Sequence, residues 1–275
     1  MPAVEPIPDY PAAVATLGES AGDDESANGE GRRSGERRPQ GSQERALVVA
    51  DYHAGIEASL AKERGVEVDS RAEGRRGTVL ELIEEVRPDR LVVLGDFMHS
   101  IGGPGGAERG EIEVLLESLS VPVTVVRGNH DGAIEEWIEG AEVTGTEGIR
   151  LGRVGFAHGH TWPSTEVLSA GAVCVGHEHP MVRLTDAVGG SRVERVWLRG
   201  GLDREAFADQ YDELPPAVGR PGQQLVVFPA FNDLSGGTWV NAGDGEFLCP
   251  FLPDALVGAQ AYLLDGTRLG PYDRV

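Results

Sequence analysis

Lysine is almost absent from this chain of 275 residues: Lys62 is the only one. Basic charge of any kind is scarce, with 24 basic against 45 acidic residues and a formal net charge of −21. That balance argues against a broad basic face for nucleic acid, whose phosphates are held chiefly by lysine and arginine. A carboxylate-rich, lysine-poor surface fits a halophilic protein kept soluble at very high salt, where the Debye length falls to ~3 Å at 1 M and self-repulsion becomes tolerable. Thiols are scarce too. Cys174 and Cys249 stand apart in apolar surroundings, so they read as buried free thiols in a reducing compartment, and a zinc site built on paired cysteines is disfavoured. Long apolar runs are missing: none approaches the ~18 residues that cross a bilayer. The opening MPAVEPIPDY carries acid and proline where a secretory signal carries basic residues and then an apolar run. The expectation is a soluble cytoplasmic protein with no membrane partner.

Residues 18–44, GESAGDDESANGEGRRSGERRPQGSQE, contain no large apolar side chain. Such a segment buries too little surface to offset its ordering entropy and is expected to be a disordered insertion. Residues 1–17 before it read as an edge-strand region broken by prolines, and 45–275 as a single domain. From Arg45 onward strands alternate with helices. Ala46–Ala50 is a short β-type run and a helix is expected from Ile56. Thr78 with Glu81 suggests a capping box opening a helix whose apolar face is Val79, Leu82, Ile83 and Val86, stopped by Pro88. Leu91–Leu94 is a buried strand, and Ile112, Leu115, Leu116 and Leu119 repeat helical spacing. Further β-type runs end at Val126, Ala157 and Val175. Beyond Met181 the strands Val182–Leu184, Val193–Leu198 and Leu225–Phe228 suggest a more antiparallel sheet. The whole reads as α/β.

All seven histidines follow apolar β-type runs: ALVVADYH, LVVLGDFMH, VTVVRGNH, VGFAHGH and AVCVGHEH. In open α/β sheets ligands gather outside the carboxyl ends of strands. His53, His99, His130, His158, His160, His177 and His179, with Asp51 and Asp96, therefore converge on one rim. Imidazoles mixed with carboxylates, without thiolates, suit Mn, Fe, Zn, Co or Ni better than Mg or Ca. The donors outnumber the needs of one ion, and two divalent metals are the economical reading. RGNHDG, residues 127–132, remains open on its own terms. It is either a tight turn or a site at which Asn129 binds and His130 moves a proton.

Five blocks in order decide the resemblance: Asp51-Tyr52-His53, Gly95-Asp96, Gly128-Asn129-His130-Asp131, His158-Gly159-His160 and Gly176-His177-Glu178-His179. They resemble the calcineurin-like metallophosphoesterases, whose pattern is DxH, GD, GNH(D/E), a histidine usually followed by glycine, then GHxH. GDFMHS at 95–100 and PAFN at 229–232 are similar to a small branch of prokaryotic phosphoesterases, some associated with DNA-repair ligases. The resemblance implies two β-sheets packed face to face with helices outside, a four-layer sandwich, and a dinuclear centre at one edge. By motif position, Asp51, His53 and His179 would hold one metal, Asn129, His158 and His177 the other, and Asp96 would bridge them. Family proteins are handled with Mn, Fe, Zn or Ni, with Mn the first expectation here.

Two cations ~3.5–4 Å apart would hold a bridging hydroxide in line with phosphorus and neutralise phosphoryl oxygens. His130, beside a ligand but not one itself, would be the general acid, with Asp131 orienting it. His99 and His160 would contact phosphate or support ligands. Arg127 would contact phosphate or pair with surface acids, and Asn232 would reach the site or cap a turn. The implied activity is hydrolysis of a small phosphoester, nucleotide-like or otherwise. The alternatives are a nuclease acting on DNA or RNA, which the net charge disfavours, and a metal-stabilised interaction module without turnover.

Overall fold

Alternation along the apolar runs builds two sheets that share one face. The computed structural model describes residues 2–19, 43–101, 103–186, 188–242 and 246–275. Residues 20–42, the bulk of the expected insertion, lie outside the described residues. Among the described residues the first sheet has the order β1 (Val4–Pro6), β2 (Ala12–Glu19), β3 (Gln43–Ala50), β4 (Arg90–Leu94), β5 (Val123–Val126) and β6 (Ala141–Val143). β3 to β6 run parallel, while β1 and β2 add an antiparallel edge that reaches Glu19 opposite Gln43. Residues 18–19 and 43–44 thus belong to strands.

The second sheet combines β7 (Ile149–Leu151), β8 (Val154–Ala157), β9 (Ala172–Val175), β10 (Met181–Thr185), β11 (Ser191–Leu202), β12 (Gln224–Val227), β13 (Leu256–Leu263) and β14 (Arg268–Pro271). β8, β9 and β12 are parallel, and β10, β11, β13 and β14 are antiparallel to their neighbours. Of the three strands expected beyond Met181, β10 and β11 are antiparallel, while β12 pairs antiparallel with β11 and parallel with β9; β13 and β14 extend the antiparallel part.

The period of two along β3 sorts its side chains. Ala46, Val48 and Ala50 face the second sheet, where they meet the cluster of Phe156, Cys174, Trp197, Val226 and Phe228. After α1 (Ile56–Arg64) come α2 (Ala72–Val86) and α3 (Gly106–Ser118), which Leu47 and Val49 face through Val79, Leu82, Ile112 and Leu115. Among the described residues, the outer face of the second sheet is covered by the short α4 (Thr165–Leu168) and by irregular segments bearing Phe207, Val218, Phe251 and Leu252, so the fourth layer is mostly coil.

The expected capping box at Thr78 is not used. α2 begins six residues earlier, and the Thr78 hydroxyl donates to Gly74 O, 3.1 Å away. A mid-helix threonine satisfies itself on the preceding turn in this way.

Candidate metal centre

The carboxyl ends of five strands meet at one rim. Asp51–His53 follow β3, Asp96 follows β4, and Asn129 and His130 follow β5, all in the first sheet. His158–His160 follow β8 and His177–His179 follow β9 in the second. The turns are sharp: Asp51, His53, Asp96, His177 and His179 all have positive φ, between 44° and 65°. Left-handed backbone is costly for an L-residue and persists where its surroundings impose it. Gly128 is required by space, since a Cβ there would collide with the backbone N and Oδ1 of Asp96.

Two groups of donors gather. Ligand atoms of Asp51, His53 and His179 lie within 4.8 Å of one another, as do those of Asp96, His158 and His177. Asp96 stands between them: Oδ1 is 3.4 Å from His158 Nε2, while Oδ2 is 3.8 Å from His53 Nε2. Asn129 Oδ1 lies 3.1 Å from His158 Nε2, which brings the remaining expected ligand to the second group.

Three of the rings are held from behind by a carbonyl. His158 Nδ1 is 2.8 Å from Leu94 O, and His179 Nδ1 is 2.7 Å from Gly236 O. His130 Nδ1 contacts the His99 carbonyl, and His53 Nδ1 is 3.4 Å from His99 Nδ1. A carbonyl on Nδ1 fixes the tautomer with the proton there and leaves Nε2 as the ligating nitrogen, the arrangement metal-binding histidines use.

Electrostatics agree with a cation site. Burial, reinforced by neighbouring His158, pushes His177 down to about 3 and His160 to about 4, so both present lone pairs at neutral pH. Burial likewise holds His53 well below its usual value, against the pull of Asp51. Burial alone would raise Asp51, but His179, His158 and His53 outweigh it and hold the carboxyl at about 2. His179 goes the other way, to about 9, because Asp51 overcomes its burial. Its Nε2 faces Asp51 Oδ1 at 3.2 Å without an aligned hydrogen bond. This facing pair draws positive charge between its atoms, and the mixed imidazole–carboxylate donors fit divalent transition metals.

Three expectations need correction or narrowing. Asp131 does not orient His130: its carboxylate is buried and turned inward. Oδ1 accepts from the backbone N–H of Phe97 and Met98 at 2.8 and 3.1 Å, and Oδ2 accepts from Gly128 N–H at 2.7 Å. The residue adjacent to His130 on a tight turn points elsewhere, and three unpaired amides claim it. The partner behind His130 is the His99 carbonyl. Burial, then nearby Asp96, raises Asp131 to about 6. Arg127 pairs with Glu135, Nη2 to Oε1 2.5 Å, as a surface-acid pair. Asn232 is buried and donates to Tyr52 O and His53 O at 3.0 and 3.1 Å, bracing the ligand turn from outside.

His160 stands beside His158, ring centroids 5.2 Å apart, with Nδ1 buried and free of hydrogen bonds. Residues 44–171 match the family model described as calcineurin-like phosphoesterase. This stretch is similar to that family. That similarity supports a metal-dependent hydrolase.

Similar solved structures include nuclease MPE of Pseudomonas putida, at 19% identity, with 80% of this chain and 84% of that chain covered and a TM-score of 0.49. Another is Yfce, a phosphoesterase from E. coli, at 16% identity, with 82% and 96% covered and a TM-score of 0.39. No curated protein matches. Among the described residues, no helix of this chain is long and apolar enough to cross a membrane.

Two supports of the centre were missed in the sequence. Glu178 is fully buried between two candidate ligands and accepts from Leu248 and Cys249 N–H, at 2.9 and 3.1 Å, which ties the C-terminal segment beneath them. Arg75 on α2 bonds Glu57 on α1 and Glu111 on α3, at 2.7–3.0 Å, and Glu111 also accepts from Gly55 N–H at 2.9 Å. A glutamate between two histidines, and charges on otherwise amphipathic helices, are the signals that could have pointed to them.

Proposed function

We propose that this chain hydrolyses phosphate esters with two divalent transition-metal ions. Asp51, His53 and His179 hold one, Asn129, His158 and His177 the other, and Asp96 is shared. The observation that carries the reading is the common anchoring of the rings. His158, His179 and His130 each rest Nδ1 on a carbonyl, and Asp96 separates the two donor groups. When bound, the ions supply Lewis acidity toward the phosphoryl oxygens and make water nucleophilic at neutral pH. Mn, Fe, Zn, Co and Ni all suit the donors, with Mn the first choice for reconstitution.

His130 supplies the proton. With Nδ1 on the His99 carbonyl, its Nε2 faces the donors, 3.8 Å from Asp96 Oδ2. As the P–O bond breaks, Nε2–H passes to the departing alkoxide and the alcohol leaves. His160, whose buried Nδ1 lacks a partner, would meet a phosphoryl oxygen. A small phosphoester suits this site and the net charge better than a nucleic-acid strand.

The test compares leaving groups. Loaded with Mn²⁺, His130→Ala should keep its metal content and lose about 10²–10⁴-fold in turnover of an alkyl ester. A nitrophenyl ester, whose anion leaves unaided, should lose much less. Equal losses on both esters would mean that His130 positions phosphate and does not protonate the leaving group.

A further inference from the structure

The two-ion arrangement leaves three imidazoles on one flank only partly used. Ring nitrogens of His53, His99 and His130 all lie within 4.8 Å of one another. One pair, His53 Nδ1 and His99 Nδ1, is 3.4 Å apart. Two nitrogens bound at ~2.0–2.1 Å to a tetrahedral zinc ion are separated by roughly 3.3–3.4 Å. The His99 and His130 rings stack with centroids 5.6 Å apart, and His53 meets them edge-on at 5.1 and 5.2 Å. Unlike the other two groups, this one includes no carboxylate. Three imidazoles suit Zn²⁺, Cu²⁺ or Ni²⁺, whereas carboxylate-bearing sites also accept Mn²⁺.

We propose that His53, His99 and His130 form a third metal site, selective for an imidazole-preferring divalent cation such as Zn²⁺. His53 belongs to this site and to the Asp51–His53–His179 group, and its two nitrogens look in different directions. Nε2 lies 3.8 Å from Asp96 Oδ2, while Nδ1 faces His99. With both groups filled, the remaining ring proton of His53 and the Nε2 proton of His130 would pass to solvent, a metal–nitrogen bond would form to each of the three rings, and the His53 imidazolate would be shared by the two groups.

The functional consequence rests on the proton-donor reading of His130. An ion bound there occupies the imidazole that would carry the proton, so zinc beyond the first two ions inhibits hydrolysis.

Binding stoichiometry separates this site from the catalytic reading. The full chain is dialysed to saturation against Mn²⁺ alone or Zn²⁺ alone, and bound metal is measured by elemental analysis. Wild type should hold two Mn²⁺ or three Zn²⁺. His99→Ala should hold two of either. Equal Mn²⁺ and Zn²⁺ counts in wild type overturn the proposal. So does a His99→Ala chain that keeps the extra Zn²⁺, or one that loses a Mn²⁺ together with it, since His99 would then merely support His53. The absolute Mn²⁺ count judges the two-ion reading separately: one Mn²⁺ with two Zn²⁺ refutes that reading and leaves the third site standing. If circular dichroism shows His99→Ala to be unfolded, His99→Gln carries the same comparison.

Discussion

Gly128 decides whether the centre can assemble at all. Its missing side chain is what allows the Asn129–His130 turn to lie against Asp96, with Asp131 reaching back to the Gly128 amide at 2.7 Å. Gly128→Ala inserts a methyl group against the Asp96 backbone, and overpacking of that kind costs typically ~1–3 kcal/mol. The expected outcome is a chain that still folds by circular dichroism but binds metal far more weakly, because Asp96 is displaced. Unchanged affinity in a metal titration would show that the turn can yield. The donors themselves were legible in the sequence, since each follows an apolar run and a strand end collects them. The direction of Asp131 was not. It depends on which backbone amides lack partners, and that count exists only after β4 and β5 are set side by side.

Arg75, Glu57 and Glu111 bring α1, α2 and α3 to one point beneath the Asp51–His53 turn. All three side chains are buried, at 3–7% exposure, so removing the guanidinium leaves two carboxylates without their counter-ion. Loss of one partner from a buried ionic cluster costs about 3–5 kcal/mol. Arg75→Met should therefore lower the urea midpoint strongly, and should loosen the first metal group through Gly55 and its bond to Glu111. Burial opposes ionisation of Glu57, but its bonds to Arg75 and to the Arg71 amide win and hold its carboxyl below the usual glutamate value of 4.5. A carboxyl depressed on folding stabilises fully above its unfolded value. That contribution is lost as pH falls through the folded one. Urea midpoints measured from neutral pH into the acid range should fall there in wild type, and the Glu57 part of that slope should vanish in Arg75→Met. Most elements could be anticipated from periodicity. β6 and β7 could not, being three residues each, and β13 is interrupted by Gly258. In these the hydrogen bonds of neighbouring strands, more than local pattern, define the strand.

At the scale of the whole molecule, the −21 charge sets the solvent in which the fold is comfortable. Thermal midpoints should rise from dilute buffer to molar KCl as screening shortens to ~3 Å, and a flat response would remove the case for adaptation to high salt. The inter-sheet layer contributes to stability differently. It is packed by small and apolar side chains, among them Ala13, Ala15, Ala46, Ala50 and Ala172, and such contacts are non-directional. The candidate ligands are divided between the plates, with Asp51, His53, Asp96 and Asn129 on one and His158, His177 and His179 on the other. A cation held from both sides would work as a rivet through two smooth plates, fixing how far one can slide over the other. Alignment of the sheets and distance across the site would then be a single mechanical variable, so a substitution deep in the sandwich that shears the plates would mistune the chemistry without touching a ligand.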